Sequence, residues 1–286
     1  MGPTATLLQG GTHLHLQHGP IDLVIGAYGA RRQAFAAARL RFATVLEELV
    51  AELPELRARM CSDTQVPSGA VARRMHAASA PHCEAEYLTR MAAVAGAVAD
   101  EILDAMVAAA DLRRAFVNNG GDIALHLGEG ESFTAGMMDH AGHPLGRISI
   151  NAADRIGGIA TSGRHGRSLS FGIADSVTVL ARNAAQADVA ATLVANVVDL
   201  PRHPAIQRRP ACDITDDSDL GALPVVTGCG KLSTEDCETA LAVGVRRATL
   251  LTDHGSINGA ALFLQGHAFS TSGRMTMNTH RDLHHA

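Results

Sequence analysis

Polar and apolar residues alternate from His13 to Gln17, break at Gly19-Pro20 and alternate again through Ile21, Leu23 and Ile25. A period of two on either side of a Gly-Pro break predicts a hairpin-like pair of strands over His13 to Ala27. From Arg32 the period changes. Phe35, Leu40, Phe42, Val45, Leu46 and Leu49 recur among alanines and charges up to Pro54, which predicts a long amphipathic helix stopped by the proline. The looser stretch Pro54 to Cys83, with Pro67, Gly69 and Pro81, reads as a connecting or substrate-covering segment. It leads into an apolar helix, Tyr87 to Ala110. Strands and tight turns are then predicted over Ala115 to Leu127, Met137 to Asn151 and Ser168 to Ala181. A second alanine-rich helix runs from about Ala184 to Val198, its start marked by Asn183 and Gln186 at capping-box spacing. His203 to Asp219, rich in Pro, Arg and Asp, reads as an extended loop. A strand near Leu223 to Thr227, a helix from Ser233 to about Arg247 and a strand at Ala260 to Leu264 complete the pattern.

This order is not a regular β-α-β alternation. It predicts an α+β fold in which antiparallel sheet packs against long alanine-rich helices. The chain of 286 residues is long enough for a large core, and its 47% hydrophobic and 19% charged residues fit a folded globular protein. We expect a single domain over residues 1–286 with a mobile C-terminal tail, 270–286.

Charge narrows the partners. A formal net charge of −5 gives no general attraction to nucleic acid, so no nucleic-acid partner is expected. Lys231 is the sole lysine; the remaining basic groups are arginines suited to bidentate anion contacts, although GC-rich coding would give the same skew. Five cysteines without a C-x-x-C pair or zinc-like spacing fit a reduced, cytoplasmic protein. The apolar stretch Met91 to Ala110 is broken by Asp100, Glu101 and Asp104 and reads as a buried helix, so no membrane partner is expected. The sequence leaves homo-oligomerisation open.

Three segments offer chemistry. In Asn118-Asn119-Gly120-Gly121-Asp122 the glycines reach positive φ and clear side chains from a surface, which lets a ligand approach the backbone; a plain bulge or hairpin turn is the bland alternative. Gly157 to Ser168 concentrates glycines, the hydroxyls of Thr161 and Ser162, then Gly163, Arg164, His165 and Arg167. That combination suits an anion, and equally a solvated surface loop. Asp188, Thr192 and Asn196 recur every four residues and so share a helix face. A carboxylate plus a hydroxyl is a plausible oxygen pair for Mg²⁺ or Ca²⁺, against the alternative of a solvent-facing stripe. Asp175, beside a strand of high β-propensity, needs a partner if buried. It and Asp122 are candidates to pair with the arginines of the second segment.

Taken in order, these segments resemble the ApbE family, and more closely an uncharacterised bacterial and archaeal branch related to it. The residues that carry the resemblance are Asn118-Asn119-Gly120-Gly121-Asp122-Ile123, Gly158-Ile159-Ala160-Thr161-Ser162-Gly163, and Ser176-Val177-Thr178-Val179-Leu180-Ala181 running into Ala187-Asp188-Val189-Ala190-Ala191-Thr192. Similarity to the branch extends through Leu16 to Leu23 and Ala260 to Gly266. ApbE enzymes are FAD:protein FMN transferases that cleave FAD in a divalent-metal site and attach FMN to a Thr or Ser of a target protein. The resemblance therefore implies an ApbE-like, T-fold-related architecture, with Gly120, Gly121 and Asp122 near a flavin nucleotide (FAD or FMN) and Asp188 with Thr192 at the metal. It also implies a flavoprotein acceptor. Asp188, Asp175 and His165 are the candidate catalytic groups. ApbE transferases carry a longer stretch with a His followed by Asp-Pro and Gly where this chain has only Arg164 to Ala174. A non-catalytic flavin- or heterocycle-binding protein serving a partner reductase, or an enzyme acting on a small anionic heterocycle, are the alternatives.

Overall fold

The structure, a computed structural model, describes residues 2–278. In chain order its elements are β1 (Thr4–Leu8), β2 (His13–His18), β3 (Ile21–Gly29), α1 (Arg31–Ala51), α2 (Leu53–Arg57), α3 (Ala70–Ser79), α4 (Val94–Ala109), β4 (Leu112–Asn119), β5 (Asp122–Leu127), β6 (Ser132–Met138), β7 (Pro144–Asn151), β8 (Gly158–Ser162), β9 (Ser176–Ala181), α5 (Ala184–Val197), β10 (Ile206–Pro210), β11 (Pro224–Cys229), α6 (Thr234–Asp253), β12 (Gly259–Leu264), β13 (His267–Ser270) and β14 (Met275–Met277). The architecture is the expected α+β one, with antiparallel sheets and long alanine-rich helices. Two compact units form. The first comprises residues up to Ser132 with Asn151–Ala160 and Ala181–Val189; the second comprises Phe133–Ile150, Thr161–Leu180 and residues from Ala190.

In the first unit the strands lie in the order β1-β2-β3-β4-β5-β8, and the paired neighbours are antiparallel. Alternation sends Leu14, Leu16, Leu23, Ile25 and Val117 to one face, where each is at most 1% exposed. Helices α1 and α4 pack on this sheet and on each other. Helix α1 presents Ala34, Phe35, Ala38, Phe42, Val45 and Leu49 inward at three- and four-residue steps. Each large apolar side chain so buried contributes about 1.5–3 kcal/mol. Two arginines then clamp helices onto α4, because Arg41 Nε and Arg74 Nε donate to the two oxygens of Glu101, both at 2.7 Å.

The stretch from Pro54 to Cys83 is packed, not loose: it contains most of α2 and all of α3, and buries Leu56, Met60, Val71 and Met75. Its anchor is Arg90, 2% exposed, which donates to the carbonyls of Glu55 at 2.7 Å and Gln65 at 2.5 Å. A buried guanidinium must find acceptors, and here it finds them in the backbone of that segment.

In the second unit β9, β12 and β13 are neighbours in that order, β14-β7-β6 form a three-stranded sheet and β10-β11 a two-stranded one. Helix α6 starts with the Ser233/Asp236 capping box and packs on β12. Gly244 permits the close approach: a Cβ there would lie 2.4 Å from Val198 and 2.6 Å from Leu262.

Several boundaries depart from the pattern-based expectation. Gly157 to Ser168 is not wholly loop, since β8 occupies Gly158–Ser162. His203 to Asp219 contains β10, a polar strand whose pairing with β11 is a matter of backbone bonds, not side-chain alternation. The strand predicted from Ser168 starts only at Ser176, and the helix predicted from Tyr87 starts at Val94 after a 3-10 turn at Arg90–Ala93. The tail forms β14, which pairs Met275 with Ile148 of β7, while His280, His284 and His285 lie outside the described residues. Strand β1 has no counterpart in the prediction. Among the described residues no helix is long and apolar enough to cross a membrane, and all five cysteines are free.

Candidate functional site

In the first unit the Asn118–Asp122 segment is a tight hairpin turn joining β4 to β5, with Asn119 paired to Asp122. Gly120 (φ 65°) and Gly121 (φ 114°) both occupy the left-handed region, as a two-residue turn with the twist of its strands requires. Asn118 Oδ1 accepts from Gly121 N at 2.8 Å and so braces the turn. Among the described residues no atom beyond its two chain neighbours lies within 4 Å of where a Gly121 side chain would begin, so this side of the turn is open to a ligand. Asn119 is turned inward, 4% exposed, and donates to the Ala95 carbonyl of α4 at 3.1 Å.

Asp188 meets the same end of α4. Its Oδ2 accepts from Gly96 N at 3.0 Å, one of the first-turn N–H groups that a helix leaves unpaired. Asp100 of α4 does the converse, accepting from Ala184 N and Ala185 N of α5, both at 2.9 Å. Each helix therefore caps the other's N-terminus with a carboxylate. Gly96 is what lets them meet, because a Cβ there would lie 2.3 Å from the Ala184 carbonyl oxygen. The Asp188 carboxyl is driven well above the usual aspartate range, first by withdrawal from water and then by the nearby Asp122 carboxylate, with the N–H groups of Gly96 and Ala95 opposing. Burial likewise pushes Asp100 up to about 6 against its two N–H donors.

In the second unit Asp175 is a hub. Its Oδ1 accepts from Arg164 Nε at 2.9 Å and Nη2 at 2.6 Å, with His165 Nε2 at 3.3 Å, and its Oδ2 accepts from Gln265 N at 2.5 Å. Gly163 allows this fold-back, since a Cβ there would sit 2.5 Å from the Asp175 carbonyl oxygen. The His165 ring stacks on His140, with centroids 3.9 Å apart. Burial, then the Arg164 and His140 charges, hold His165 below its ordinary value. Thr161 Oγ1 lies 2.9 Å from Thr178 Oγ1, Ser162 closes β8, and Arg167 is exposed. Of the helical stripe, Thr192 is half-buried and Asn196 Oδ1 accepts from Phe171 N at 3.1 Å. The stripe is not a solvent face.

The predicted residues thus divide: Asn118 to Asp122 and Asp188 fall in the first unit, Thr161 to Arg167, Asp175 and Thr192 in the second. Arg164 pairs with Asp175 as anticipated. Gly96 and Asp100 escaped the sequence reading, because their bonds span 92 and 84 residues. The one hint was a pair of acidic residues, Asp100 and Glu101, interrupting an apolar helix.

Fold and site define an α+β protein with two carboxylates, Asp122 and Asp188, drawn together at a hairpin and a helix N-terminus. The chain matches the family described as AbpE bacteria over residues 5–275 and belongs to that ApbE-related family. Similar proteins include a UPF0280 protein of Methanopyrus kandleri, 39% identical over 130 residues that cover 44% of this chain and 50% of that protein. A UPF0280 protein of Methanothrix thermoacetophila is 40% identical over 137 residues, 45% of this chain and 52% of the relative. One of Methanocella arvoryzae is 35% identical over 180 residues, 59% and 62%. The chain spans about half the length of the first two relatives. Among solved structures, the apo form of the Pseudomonas stutzeri flavinyl transferase ApbE aligns with a TM-score of 0.39 and 11% identity over 98% of this chain and 95% of that one.

Proposed function

We propose that this chain handles a flavin nucleotide together with Mg²⁺, and that its reaction is the cleavage of FAD with transfer of the FMN half to a Thr or Ser hydroxyl of an acceptor protein. Family membership and the ordered motifs support the flavin. The observation that carries the reading is the juxtaposition of Asp188 and Asp122, with no cationic side chain among the described residues paired to Asp188.

The donor set fits Mg²⁺ better than Ca²⁺. Calcium takes about six to eight oxygens, whereas magnesium is held by one or two carboxylates plus waters and substrate phosphates. Among the described residues no group of three or more His, Cys, Asp or Glu could by itself hold a metal, so phosphate oxygens would have to complete the shell. Asp188 would be the principal ligand. A bound divalent cation would neutralise charge on the phosphoanhydride as it breaks.

The protein's own groups do the rest. The Gly120-Gly121 turn offers backbone without side chains, which suits the close approach of a phosphate or a flat ring. First-turn N–H groups of α4 hold the Asp188 carboxylate in one orientation and add positive potential where an anion would sit. Incubating the full chain with FAD and MgCl₂ should release AMP, and an acceptor flavoprotein present in the mixture should gain the mass of FMN. Absence of both AMP release and Mg²⁺-dependent FAD binding would sink the proposal.

A further inference from the structure

We propose that β1 is a pairing edge through which two copies of this chain associate, β1 against β1, antiparallel about a two-fold axis at Thr6. The strand pairs with β2 without a bulge, from Thr4 opposite Gln17 to Leu8 opposite His13. Among the described residues no strand lies on its other side. All five residues are exposed, Leu7 by 54% and Leu8 by 36%. Natural sheets guard such an edge with a lysine, a proline or a bulge, because its free N–H and C=O groups recruit another strand. The segment Thr4-Ala5-Thr6-Leu7-Leu8 has none of these.

The core face of the sheet also continues onto β1. Ala5 stands opposite Leu16 and Leu7 opposite Leu14, and both β2 leucines are essentially fully buried. Leu7 is therefore the next residue in a buried row, left half open.

A second copy is the occupant this sequence fits. Reversing the strand about Thr6 places Ala5 opposite Leu7 of the other copy on the core face, small against large, and Thr6 opposite Thr6. Threonine pairs are favourable across strands. A two-fold would set any charge on the central residue against itself, and β1 carries no charge at all. A different partner would be selected through charges or side-chain pockets, which β1 does not offer. Five residues a side make a smaller contact than the roughly 20–30 residues a side of a stable interface, so the association belongs to the weak, transient class.

Sedimentation velocity of the full chain from roughly 1 to 200 µM should show its mass rising from monomer towards dimer. Thr6→Lys and Thr6→Glu should each move the midpoint upward at least about tenfold, with circular dichroism unchanged because the position is exposed. Mixing the two variants should restore association as a heterodimer, since each lysine then faces a glutamate. A wild type that stays monomeric, a midpoint that ignores both substitutions, or a mixture that fails to recover would each overturn the proposal. The last two results would assign association to another surface of the chain.

Discussion

Asp188 and Asp175 are both half-buried aspartates in their separate units, but their company is opposite in sign. Asp175 is saturated: two arginine N–H groups, a histidine nitrogen and a backbone N–H converge on it. Asp188 has backbone N–H groups as its donors and two other carboxylates, Asp122 and Asp100, in range. A carboxylate whose lone pairs are all engaged by cationic and amide donors holds structure together. One left among like charges is destabilised until a cation arrives, which is a property of ligand sites. On this comparison the Arg164 fork, already committed to Asp175, is a clamp on the Gly163–Ser168 loop, and a poor candidate for gripping a substrate anion.

The largest effect expected from this contrast is a pH dependence carried by Asp100. Its folded pKa is raised from 3.8 to about 6, so the fold prefers the neutral acid. The stability that preference brings is fully present below pH 3.8 and is lost as pH rises through 6. With one unit worth 1.36 kcal/mol, the loss is roughly 3 kcal/mol. An Asp100→Asn variant has no such titration, so from about pH 4 to pH 7 it should gain that amount on the wild type in urea unfolding. A constant difference between the two proteins would show that ionising Asp100 costs the fold nothing, and would remove burial as the reason for its shift.

Asp175 should respond with the opposite sign at neutral pH. In Asp175→Asn the amide can accept one of the Arg164 bonds but supplies no counter-charge to a guanidinium whose side chain is only 17% exposed. Losing a charge-assisted, part-buried pair should destabilise by about 2 kcal/mol, with faster hydrogen exchange across residues 164–167. A change below about 0.5 kcal/mol would place the pair in the class of exposed surface bridges.

How far these sites could be read in advance depended on the range of the interaction. The helices α1, α5 and α6 and the strands β2, β3, β4 and β5 follow from local periodicity. The Asn118–Asp122 turn follows from Asn and Gly alone, because few other residues adopt positive φ at two successive positions. Strands β1 and β14 are too short for a period to register, and β10 hides behind Pro210 and two arginines. The reciprocal capping of α4 and α5 was illegible for a different reason. Nothing in the neighbourhood of Asp100 or Asp188 marks it as a cap, since each serves a helix other than its own. Asp188 could be placed on a polar stripe, but its conflict with Asp122 required the hairpin to be folded against it.

The response of Asp188 to Mg²⁺ is the sharpest test of the comparison. In Asp188→Asn the amide oxygen can still accept from Gly96 N, so the cap on α4 persists while the repulsion with Asp122 and Asp100 disappears. Stability at pH 7 in the presence of EDTA should be unchanged or higher, the pattern of a functional residue that burdens the fold. Addition of Mg²⁺ with FAD should raise the urea midpoint of the wild type, because a ligand bound only by the folded state stabilises it, and should leave the variant unmoved. If Asp188→Asn instead loses 2 kcal/mol or more, as estimated for breaking a charged hydrogen bond, and still responds to Mg²⁺ and FAD, Asp188 is a helix cap like Asp100. The distinction from Asp175 would then be one of partners alone, without a difference in role.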